Sequence, residues 1–312
     1  MGPFLSRRQL LLLAGTGLLT ACAPSPRRRL ALPAGQLPKP WLQRLPGDWG
    51  VEPWKLQATA TPPSGAALLA LSDGWATGLP ASSFAPWPAG PASEGLLPQA
   101  EALRPWGLPV GFGPWLLVLR DRFDLVGDSW QQLLDPSLRG QLLLPASARL
   151  VIEIAKRIGE PAEVLPRLRR QALGFNDRDA LTLLLNGDAQ AAVLPSGAVL
   201  PLLNRDSRLR ALLPREGSVL WWSLLLLPRR GGVLPPTDWL LAPRQSPLLD
   251  QLLRAGFTPP LQRQKLAAAL ARQRFSELLL PPEPLLARCS TLLPASEAER
   301  QAATALWNGS TP

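Results

Sequence analysis

The residues in this chain that could do chemistry are tryptophans, serines and one well-placed aspartate, and the chemistry they suit is recognition. In "EGSVLWWSLLLLP" (216–228) the pattern predicts a strand ending at a proline. Neighbouring strand side chains point to opposite faces, so Trp221 and Ser223 share one face and Trp222 takes the other. An indole face attracts apolar groups and cations, and a hydroxyl beside it can donate or accept a hydrogen bond. Three junctions add polar groups in one style. "ALLALSDGW" ends at Ser72-Asp73, "QLLLPASAR" (141–149) at Ser147 and "AQAAVLPSGA" (189–198) at Ser196, each before a helical pattern. A small polar residue there predicts a helix N-cap, with free N–H groups aimed at the carboxyl end of a strand. That edge is where open α/β sheets bind ligands.

Asp73 is the only acidic residue at those three starts, and is therefore the candidate partner for a positive ligand group. Trp75, just after the first junction, and Trp115, in "VGFGPWLLVLR", are further aromatic candidates that a cleft or a core would suit equally. Trp130, Trp239 and Trp307 are expected in packing.

Composition narrows the function. The chain has no His and no Tyr, which removes a Ser-His triad, a Cys-His pair and imidazole metal sites. Ser196 in "PSGA" lacks the G-x-S-x-G elbow of a hydrolase. No enzyme and no cofactor is expected. The net charge of +10 comes from arginines scattered among prolines and leucines, with one run at Arg27-Arg28-Arg29 and no nucleic-acid-binding motif.

Residues 1–21 predict an export signal: "SRRQLLLLAGTGLLTAC" has two arginines before an apolar run too short to span a bilayer stably. Arg7-Arg8 with the residues that follow resembles a twin-arginine signal, and "LTAC" resembles a bacterial lipobox. Cys22 would then be lipidated and begin the mature chain, with 22–29 as a tether to the membrane. Cys289 is the only other cysteine and is expected as a lone buried thiol.

Apolar runs alternating with helical patterns over the rest predict an α/β fold, with helices over 261–280 and 295–308 near the end. Several stretches carry a resemblance in order. "DSWQQLLDPSLRGQLLLPASAR" (128–149), "LLNGDAQAAVLPSGAV" (184–199) and "PREGSVLWWSLLLLP" (214–228) resemble segments of bacterial extracellular solute-binding proteins, the last of them in the polyamine-binding branch. The resemblance spans roughly 30–308. It implies a type II periplasmic-binding-protein fold, with lobe 1 from 30–118 and 224–262, lobe 2 from 119–223 and 263–312, and a ligand cleft between them. It also implies a lipid-anchored, periplasmic component that hands a small polar, amine-bearing solute to an ABC permease by lobe closure. In that branch the tryptophan matching Trp221 stacks on the ligand, and an aspartate two residues later pairs with an ammonium; here that position is Ser223. Polyamine binding would then need Asp73 or Glu216 for its charge. A second reading, of a different class, is a non-transport lipoprotein in which the binding fold serves structure or interaction.

Overall fold

Leucine- and alanine-rich runs dominate the strands, and several are buried on both faces, as at Leu68–Leu71. A computed structural model describes residues 28–55, 62–121, 127–176 and 179–311. The export signal, Cys22 and the tether up to residue 27 lie outside the described residues. Strands β1 (Arg28–Leu32), β2 (Trp49–Pro53), β3 (Leu68–Ser72), β4 (Phe84–Ala85) and the long β5 (Leu108–Arg120) come first. Then follow β6 (Leu142–Leu144), β7 (Ala172–Phe175), β8 (Ala191–Pro195), β9 (Leu209–Leu212), β10 (Val219–Pro228) and β11 (Ser290–Thr291).

The spatial order is β2-β1-β3-β10-β5-β8-β6-β7. Strands β2, β1 and β3 are parallel, and β10 enters antiparallel between β3 and β5. Strand β5 serves two sheet regions. Its residues Leu108–Pro114 pair with β10, and Trp115–Leu119 pair with β8, next to which β6 and β7 run parallel. Helices flank both regions. One buried cluster holds Trp41, Leu68, Trp222, Leu248 and Leu252; a second holds Trp130, Leu142, Ile154 and Leu165.

The expected helix over 261–280 is two helices, Arg263–Leu270 and Ser276–Leu279. Leu266 and Leu270 are buried, and so is Leu279. Nine residues at about 100° each would turn Leu279 to the side opposite Leu270 on one straight helix, and the break lets both face the same core cluster. The first of these helices packs on Leu248–Arg254, while the helix Glu297–Gly309 packs on Ala148–Ile158. Strand β11, between these two helices, pairs parallel with β10. The last helix begins, close to expectation, at a capping box of Ser296 and Glu299. Among the described residues no helix is long and apolar enough to cross a membrane, and no cluster of His, Cys, Asp and Glu could hold a metal ion.

Candidate ligand cleft

The cleft is built on "GFGPW" of β5. Gly111, Gly113 and Trp115 lie on one face by strand alternation, and Phe112 on the other. Gly111 pairs with Ser223 and Gly113 with Trp221, so the same face of β10 meets that face of β5. Each glycine seats a ring. A Cβ on Gly111 would overlap the Phe257 ring, and one on Gly113 would stand 2.9 Å from Trp221 Nε1. Further along the same edge the indole lies against Gly197, where a Cβ would be 3.0 Å from Cζ2. The Trp221 Nε1–H donates to Ser196 Oγ at 3.3 Å. Two glycines and one hydroxyl therefore fix how Trp221 lies.

Above this floor is a cavity of about 510 Å³. Gly35, Gln36, Ser72 and Phe257 line it from the β1–β3 side, Pro195, Gly197 and Ala198 from the β8 side, and Trp115 and Trp221 from between. Gly197 and Gly256 meet across one edge: a Cβ on Gly256 would be 2.9 Å from Gly197 Cα, and Gly256 has φ +74°. Only glycine suits both the left-handed backbone and the close approach. Gly256→Ala is expected to lower stability by about 1–2 kcal/mol through backbone strain and to part this edge. Urea denaturation checks the first effect, and a rise in the radius of gyration by X-ray scattering checks the second.

Of the eight sequence-derived candidates, Ser72, Trp115 and Trp221 line this cavity. Ser196 is fully buried beneath Trp221 and orients it. Ser223 is on the expected face but is covered: Gln36 Nε2 donates to its Oγ at 2.7 Å, and the Ser223 hydroxyl donates back to the Gln36 carbonyl at 3.2 Å. Trp75 is exposed and does not line the cavity. Ser147 is an exposed helix cap, its Oγ accepting the Leu150 N–H at 3.4 Å. It is the only side-chain cap of the three expected; Ser72 makes none, and Pro195 holds the cap position before Ser196.

Asp73 is buried, and its Oδ1 accepts the Trp222 N–H at 3.0 Å, extending the ladder where β3 ends. Burial pushes its carboxyl up to about 7, although the N–H groups of Trp222 and Gly74 and the charge of Arg149 pull it down. Glu216 is engaged elsewhere, accepting from Ser129 Oγ at 2.5 Å and the Trp130 N–H at 3.3 Å. Among the described residues, none lining the cavity is ionisable. Trp222 stacks on Phe112 with centroids 5.3 Å apart and donates to Thr291 Oγ1 at 3.1 Å.

Two α/β lobes bridged by long antiparallel strands, with a cleft where the sheets meet, form the fold of the periplasmic binding proteins. No family model matches the chain. The spermidine/putrescine-binding periplasmic protein of Escherichia coli is 24% identical over 156 residues, a stretch that covers 44% of this chain and only 44% of the relative's length. The spermidine/putrescine ABC transporter substrate-binding protein of Streptococcus pneumoniae superposes with a TM-score of 0.72 at 12% identity, over 91% of this chain and 98% of that one. A eukaryotic thiaminase-I shares the fold at a TM-score of 0.60 and 10% identity, over 91% and 99% of the two chains. The fold alone therefore hosts both binding proteins and an enzyme.

Proposed function

We propose that this chain is a solute-binding protein that closes its two lobes on a small solute and delivers it to an ABC permease, without chemical turnover. The observation that carries the reading is the aromatic-floored cavity walled by both lobes, with Trp221 held in place by Gly113, Gly197 and Ser196. The likeness in fold to transporter binding proteins supports it. Trp221 and Trp115 supply the apolar contact, and Ser72 and Gln36 the neutral hydrogen-bonding groups. Lobe 1 comprises 30–118 and 224–262 together with the helix Arg263–Leu270, and lobe 2 comprises 119–223 and the helix Glu297–Gly309. The test is X-ray scattering and thermal melting across a solute library. One solute should raise the melting temperature and change the radius of gyration, with a stoichiometry of one by calorimetry. A chain that no solute stabilises refutes this reading.

We also propose export by the twin-arginine route and lipid anchoring at Cys22 on the periplasmic side, supported by "SRRQL" and "LTAC" in the correct order. Mass spectrometry of the membrane-extracted protein is expected to show cleavage before Cys22 and an acylated cysteine. A mature pool that still begins at Met1 would contradict it.

A further inference from the structure

We propose that the solute is uncharged and carries a flat ring, held by stacking on Trp221. This rests on reading the cleft as a solute site. Phe257, Trp221 and Trp115 are the rings of the cavity, and the first two are seated on glycines two residues apart on one strand. Phe257 is backed in turn by Trp41, with centroids 6.1 Å apart. Trp221 rests along one edge on Gly113 and Gly197, and Ser196 holds its Nε1–H. Rings held this way need no reorganisation to bind and cannot swing to wrap a flexible chain. They present fixed flat faces, which a flat partner covers best.

The polar groups argue against a primary amine. An ammonium buried here would need a carboxylate, and none lines the cavity among the described residues. Each carboxylate that the sequence offered is already in use. Asp73 accepts the Trp222 N–H, and Glu216 holds Ser129 and Trp130. Ser223 is sealed by its two hydrogen bonds with Gln36. Without Arg7 and Arg8 of the leader the chain keeps a net charge of 10 − 2 = +8, a field that disfavours cations. What remains is the Ser72 hydroxyl and, on Gln36, the amide oxygen and the N–H not given to Ser223, which match the carbonyl and N–H edges of a heteroaromatic ring. A cavity of about 510 Å³ holds such a molecule with room to spare.

The experiment is calorimetry and thermal melting on the full chain. Its panel has uncharged ring compounds including nicotinamide and uracil, the polyamines putrescine and spermidine, and tetramethylammonium. The expected result is binding of at least one ring compound and none of the amines. Trp221→Ala should weaken that binding by about 10- to 100-fold, and Trp221→Phe should retain most of it. If Trp221→Ala does not fold, Trp115→Ala at the same cavity takes its place, with a loss again expected. Binding of a polyamine or tetramethylammonium that needs Trp221, with every ring compound inert, overturns the ring assignment and leaves the solute-binding reading standing. Ring binding that neither variant weakens places the site elsewhere and overturns the assignment. No binding by any compound, here and across the broader library, overturns both.

Discussion

Trp222→Ala is expected to lower stability by about 3–5 kcal/mol, the usual range for truncating a buried aromatic ring. The side chain is fully buried in the larger hydrophobic cluster, so its removal leaves a cavity on the face of the sheet beside Phe112. The stack on Phe112 is lost with it, as is the hydrogen bond to Thr291, which helps hold β11 beside β10. The neighbouring position should respond differently. Trp221 is only partly buried, and its inner edge rests on glycines, so Trp221→Ala removes far less packed surface. Chemical denaturation of the two variants measures the contrast. A Trp222→Ala chain within about 1 kcal/mol of the parent would mean that the parity of β10 is misassigned.

That contrast was legible from two adjacent letters, because strand alternation is a rigid rule wherever one face is buried. The strand glycines that seat the two rings were legible in principle as well. Isolated Gly111 and Gly113 in an apolar strand mark close approach, and their two-residue spacing puts both approaches on one face. The partners that complete the site were not. Gln36 reaches Ser223 across 187 residues of sequence, and Phe257 reaches Gly111 from the turn after a distant helix. No local pattern encodes such meetings. The capping rule over-reached for a related reason. Ser72 and Ser196 stand at helix starts, but tertiary neighbours decide their roles, with Ser196 answering Trp221 and Ser72 facing the cavity. Asp73 shows the same limit most clearly. Its position suggested a ligand partner, and the fold spends its carboxylate on the Trp222 backbone.

The buried Asp73 should make stability fall as pH rises. Its carboxyl titrates near 7 in the folded chain, against an ordinary 3.8, so the folded state holds the proton more tightly than the unfolded state does. Below about pH 4 the group is protonated in both states and contributes no penalty. Between about 4 and 7 the unfolded chain releases the proton first, and the penalty grows with pH. Above about 7 it is complete, at about 4 kcal/mol for a shift of this size. Asp73→Asn keeps an oxygen for the Trp222 N–H at 3.0 Å and removes the group that ionises. The variant should therefore be more stable than the parent at pH 8 by an amount approaching that figure, and the advantage should vanish near pH 4. Denaturation midpoints for both chains across this range measure it. A variant less stable than the parent at pH 8 would show that the ionised carboxylate is a net stabiliser, held by the N–H groups of Trp222 and Gly74 and by Arg149 more strongly than burial opposes it.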